Sequence, residues 1–163
     1  MRCLVIHRDA SHPKGPSVGI MYPNPRAQRP DETLDMFYQR QFQEYTSKVP
    51  SDATATLIAT DTSLLVFPPR RFRSAWRWGK SLYVDMPTAR EVVMAEIRQA
   101  RNQKLNRLDD EINTKTDQGQ DVTALRVYRQ ALRDFPAVAQ ADCDSLETPE
   151  ELNTYRAPWP TKP

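Results

Sequence analysis

Two histidines and an aspartate, His7, Asp9 and His12, stand close together near the start of the chain. Imidazole and carboxylate are the groups that exchange protons near neutrality or hold a metal ion. A metal site needs three or four ligands in fixed geometry, and no Cys-x-x-Cys or His-Glu-x-x-His pattern supplies the rest. The expectation for these three is a solvated loop. No serine or cysteine lies in a nucleophile elbow, and the four glycines are too scattered to cradle a phosphate. Asp109, Asp110 and Glu111 belong to a densely charged run and are expected to face solvent. The chain therefore reads as a non-enzyme, with no catalytic residue, no metal and no cofactor.

The densest chemistry lies in RRFRSAWRWGKSLYVDM, Arg70 to Met86. Arginines interleaved with aromatics can pair with phosphates and stack on bases. The same letters also make a half-buried strand: Phe72, Ser74, Trp76 and Trp78 alternate with Arg71, Arg73, Ala75 and Arg77. Gly79-Lys80 reads as a tight turn, with Leu82 and Val84 alternating on the return strand. The favoured reading is a hairpin whose tryptophans pack against a helix carrying Phe37 and Phe42. Arg71, Arg73 and Arg77 then lie on the other face, to pair with Asp61, Asp85 or a partner's carboxylates. A nucleic-acid module using this hairpin is the minority alternative. The chain carries 23 basic against 21 acidic residues, a net charge of +2, where a dedicated DNA binder has a larger excess.

Periodicity and breakers give the elements that must hold these residues. Residues 2–7 and 17–23 read as strands around a turn rich in Asp, Pro and Gly. Asp31 is a candidate N-cap for a helix with the stripe Leu34, Phe37, Tyr38, Phe42 and Tyr45. Pro50 ends it, ATATLIAT is a further strand, and Pro68-Pro69 stop that region. Asp85 can cap a long helix from about Pro87 to about Asp117, with Ala89, Val93, Ile97, Ala100, Leu105, Leu108 and Ile112 along one seam. Gly119 suits its C-terminus. Asp121 caps a second helix with Leu125, Tyr128, Leu132 and Phe135, which Pro136 is expected to end. A short capped helix at TPEEL and a proline-rich tail with Trp159 follow.

The expected class is α+β: a small N-terminal β-sheet domain with one packed helix and a β-hairpin, then a C-terminal helical hairpin and an extended Pro-rich tail. The expected divisions are 1–85, 86–136 and 137–163. At 39% hydrophobic residues and a mean hydropathy of -0.72, little core and much exposed surface are expected. With no apolar run of membrane-spanning length and no signal peptide, a soluble protein made in the cytoplasm is expected. Cys3 and Cys143 are then expected to be reduced thiols.

Two blocks carry a family resemblance. Arg71, Phe72, Arg73, Ala75 and Trp76, followed by Val84, Asp85, Met86, Ala89, Arg90 and Glu91, resemble an Arg-x-Phe-Arg-x-Ala-Trp block and helix start found in small tailed-bacteriophage proteins encoded near tail-fibre genes. YRQALRDFP, Tyr128 to Pro136, with TPEEL and WPTKP after it, resembles the phage tail assembly chaperone family and the C-termini of tail-fibre assembly proteins. The resemblance covers roughly residues 55–163.

The resemblance implies a non-enzymatic tail protein working by protein–protein contact. It is either a structural adaptor in the virion tail or a transient assembly chaperone. The partners implied are tail fibre, baseplate or tail-tube proteins, in an assembly of several copies, with no membrane and with nucleic acid only as the minority alternative. The place implied is the virion tail, after synthesis in the host cytoplasm. The candidate partner-binding residues are Arg71, Arg73 and Arg77 on the hairpin, and Tyr155, Pro158 and Trp159 in the tail. Leu105, Leu108 and Ile112 join them, because the long helix outruns its expected mate and its surplus seam would dock elsewhere.

Overall fold

The computed structural model describes residues 3–8, 16–49, 51, 53–58 and 66–163. Asp9, His12, Pro50, Asp61 and the side chain of Cys3 lie outside these, with the expectations that rest on them. The chain is mixed α+β and divides into two compact units, Met1–Asp85 and Met86–Pro163.

The first unit is built on an antiparallel sheet in which β1 (Cys3–Arg8) lies between β2 (Ser17–Met21) and β3 (Thr54–Ile58). Val5 faces Ile20 on one side and Thr56 on the other, and is fully buried. A strand bonded on both edges suits this β-branched, apolar segment.

Helix α1 spans Leu34–Thr46, and its N-cap is Thr33 rather than Asp31. The Thr33 Oγ1 accepts a hydrogen bond from the Met36 N–H at 3.3 Å, meeting one of the unpaired donors of the first turn. The expected stripe shifts accordingly. Leu34 is 60% exposed, while Phe37 and Gln41, one turn apart, are buried. Just before the helix, Glu32 grips Arg40 through two bonds of 2.8 Å, and Arg40 also donates to the Ala27 carbonyl at 2.9 Å. This paired contact holds the Glu32 carboxyl down at about 2.

The hairpin is shorter than the alternation suggests: β4 is Trp76–Trp78 and β5 is Leu82–Val84, with Trp76 opposite Val84 and Trp78 opposite Leu82. Arg71–Ala75, expected as strand, falls within Arg70–Ala75, two 3-10 turns that meet at a kink at Phe72. Pro69 is extended, at φ -52 and ψ 129, and its carbonyl accepts the Phe72 N–H at 3.0 Å. A three-residue turn puts Phe72 and Ala75 on one side, and both are buried. Periods of two and three cannot be told apart over so short a run. Strand β2 packs against both β4 and this 3-10 helix.

The second unit is a helical hairpin closed by a returning tail. Helix α2 spans Met86–Asp117 and buries Ala89, Val93, Met94, Ile97, Leu108 and Ile112. Its C-terminus is a Schellman motif: the Gln120 N–H bonds the Lys115 carbonyl and the Gly119 N–H bonds that of Thr116, both at 2.9 Å. Gly119 sits at φ 68, a left-handed conformation that glycine adopts without steric cost. The N-cap of the next helix is Val122 rather than the expected Asp121, whose carboxylate one residue earlier accepts from the Thr123 N–H and hydroxyl.

Helix α3 spans Thr123–Ser145 and runs straight through Pro136, which was expected to end it. An interior proline costs about 3 kcal/mol, through a missing N–H and a clash with the preceding turn. Ala139 and Cys143 continue the buried stripe of Leu132 and Phe135 beyond it. Burial of such side chains contributes roughly 1.5–3 kcal/mol each for the larger ones, enough to offset the break. Arg90, on the first turns of α2, adds to this. It donates to the Cys143 and Leu146 carbonyls at 3.1 and 2.7 Å. These carbonyls lie at the C-terminal end of α3, the negative end of the helix dipole, where Cys143 also accepts the C-cap N–H of Leu146 at 3.3 Å. Helix α4 (Pro149–Thr154) follows, held by a full capping box between Thr148 and Glu151, with Leu152 fully buried.

Candidate interaction surfaces

Two places in the fold gather the chemistry picked out from the sequence: the tail of the second unit and the aromatic–basic block of the first.

The tail runs back along the helices, antiparallel to α3. The Tyr155 hydroxyl donates to the Asp142 Oδ2 at 2.9 Å. Trp159 lies against Phe135 at 4.4 Å between ring centroids, and the Lys104 ammonium sits 5.2 Å from the indole centroid. Lys162 Nζ reaches the Glu111 Oε2 at 2.6 Å. That contact is the largest cause of the lowered Glu111 carboxyl, and burial around Tyr155, more than its Asp142 partner, pushes the phenol upward. Beneath the tail, Leu108, Ile112, Val122, Leu125 and Leu132 form one buried cluster, flanked by Leu105, Tyr128 and Trp159.

Of the candidate partner residues, this brings Leu105, Leu108, Ile112 and Trp159 together, but inside the chain. Leu108 is 3% exposed and Ile112 7%. The surplus seam does not arise. Leu108 and Ile112 lie at the hairpin turn, where the start of α3 covers them, and the extension of α3 past Pro136 runs beside the other half of α2. Tyr155 is half-buried on Asp142, and Pro158 is exposed. Asp109 and Arg129 form a further α2–α3 ion pair, with Oδ1 and Nε 2.7 Å apart but not aligned as a hydrogen bond.

In the first unit the three named arginines diverge. Arg71 lies over its neighbour Phe72, 5.6 Å from the ring centroid. Arg77 donates to the Ser74 and Trp76 carbonyls at 3.0 and 2.9 Å and lies 3.8 Å from the Asp85 carboxylate. Arg73 opens onto a cleft of about 490 Å3, which it lines with Ile20, Tyr22, Phe67, Arg70 and Trp76. The rings form a chain, Tyr22 to Phe67 at 6.5 Å and Phe67 to Trp76 at 6.3 Å. Among the described residues the buried Trp76 Nε1 has no acceptor, a defect that ordinarily costs about 1–3 kcal/mol. Trp78, whose burial was expected against the α1 aromatics, has its ring 6.4 Å from that of His7.

Sequence reasoning passed over Tyr22 and Phe67. Each stands next to prolines in an irregular stretch, and no periodicity links them to Trp76. It named Arg90 only within the resemblance and not for its contacts, whose partners are backbone carbonyls more than fifty residues away.

A second cleft, about 580 Å3 in the second unit, carries both signs of charge, and its Arg90 is already committed to α3 carbonyls. Among the described residues no group of three or more His, Cys, Asp or Glu is placed to hold a metal ion, and no helix is long and apolar enough to cross a membrane. Comparison with known proteins finds no matching family model, no similar curated protein and no similar solved structure.

Proposed function

We propose that the chain is a non-enzymatic bacteriophage tail protein, an adaptor resident in the virion tail that holds a fibre or baseplate partner by protein–protein contact. One observation carries the reading. The two distant halves of its most distinctive resemblance, YRQALRDFP and WPTKP, meet in space. Tyr128, Leu132 and Phe135 from the first half and Trp159 from the second lie on or beside one apolar cluster. A pairing of motifs that looks arbitrary along the chain has a physical reason, since each half completes the other's packing. That contact is what supports reading the two short blocks together.

The experiment is quantitative mass spectrometry of purified infectious particles of the phage that encodes the chain. The expected result is a stoichiometric signal, at a constant number of copies per particle. Absence from particles, with the protein bound to fibre protein in infected cells, would make it a transient assembly chaperone instead. Absence from both would sink the tail reading.

A further inference from the structure

The cleft of the first unit is built from groups of one kind of chemistry. Arg70 and Arg73, on either side of the kink at Phe72, both line it. Both are exposed, and among the described residues neither has a carboxylate partner. Among the described residues no acidic side chain lines the cleft. Its walls are aromatic, and two of the rings remain substantially in solvent, Tyr22 at 45% and Phe67 at 39% exposed. The third, Trp76, is 6% exposed. Two guanidinium groups without a carboxylate partner among the described residues and a row of rings are what a ligand with both a carboxylate and an apolar group would satisfy.

We propose that this cleft binds a short acidic–aromatic peptide segment of a partner protein. The segment's carboxylate pairs with Arg70 and Arg73, and a neighbouring aromatic side chain lies among Tyr22, Phe67 and Trp76. The volume suits a few side chains rather than a folded domain. A nucleic acid is disfavoured, because a polyanion draws its affinity from many cations, and two on a chain of net charge +2 supply few. The inference stands on the first unit's geometry alone and does not depend on the tail reading.

Isothermal titration calorimetry on the full chain tests it, with three probes. They are the acetylated peptide Asp-Phe-Glu-Leu-Asp, its neutral counterpart Asn-Phe-Gln-Leu-Asn, and a single-stranded oligothymidylate. The acidic peptide is expected to bind saturably, at least about tenfold tighter than the neutral one. Reversing both charges, Arg70→Glu with Arg73→Glu, should abolish that difference while circular dichroism stays unchanged. Should the double variant fail to fold, the exposed single change Arg73→Gln must still weaken the acidic peptide several-fold. Equal binding of the acidic and neutral peptides, no binding of either, or no response to the variants overturns the proposal. Tighter binding of the oligonucleotide overturns it in favour of nucleic acid.

Discussion

The indole of Trp159 packs on the ring of Phe135 with centroids 4.4 Å apart and planes tilted by 31°. Phe135 is buried and Trp159 half-buried, so the tail residue acts as a lid on the helix pair beneath. Trp159→Ala should therefore destabilise the second unit. Full burial would put the loss at about 3–5 kcal/mol, and partial exposure brings it to about 2 kcal/mol. Thermal unfolding followed by circular dichroism should show a midpoint lower by roughly 10 °C. An unchanged midpoint would mean that the tail only rests on the helices.

Arg90 ties the start of α2 to the end of α3 through two charge-assisted bonds. Arg90→Met keeps most of the aliphatic stem and removes both, at an expected cost of about 2 kcal/mol. Arg90→Lys should recover less than half, because an ammonium cannot fork between two carbonyls. Denaturant midpoints of the three proteins, measured together, give the order. Equal stability of the Lys and Arg forms would show that charge alone matters.

Pro136 is a natural defect in α3. Pro136→Ala restores an N–H to the helix interior and removes the ring, and is expected to stabilise the second unit by about 1–3 kcal/mol. A loss of stability would show that the proline's packing outweighs the hydrogen bond it forfeits.

The Glu32–Arg40 pair predicts a pH dependence for the first unit. Glu32 is held at about 2, against an ordinary value of 4.5, chiefly by its hydrogen bonds to Arg40. A depressed folded value means that the folded state favours the ionised form. The contribution is complete above about pH 4.5 and disappears as pH falls through about 2. Glu32→Gln should thus be less stable than the parent near neutrality, with the gap closing across that window. Melting curves recorded from pH 7 down to pH 2 check it; a gap independent of pH would assign the effect to packing.

Helix α2 was legible because an unbroken run of helix formers carries one apolar seam and ends on Gly119, whose conformation the sequence announces. The end of α3 was not, because a local rule about proline lost to the burial of Phe135, Ala139 and Cys143 around it. Thr33 against Asp31 is a smaller case: both are good caps, and which one starts α1 depends on which face buries, here that of Phe37 rather than Leu34. The short 3-10 helix was hidden by overlapping periods. Neither the Trp159–Phe135 contact nor the Tyr22–Phe67–Trp76 cleft could be read from spacing, since both join segments whose proximity is decided by packing alone.

The returning tail also fixes an order of events in the cell. Trp159 leaves the ribosome after Phe135, and at ordinary elongation speeds the gap between them is about one to five seconds. For that interval the Phe135 ring is outside without its lid and open to whatever else is nearby. The nascent chain thus passes through a brief, stickier form of itself on every round of translation, and whatever shields it then acts before the finished protein exists.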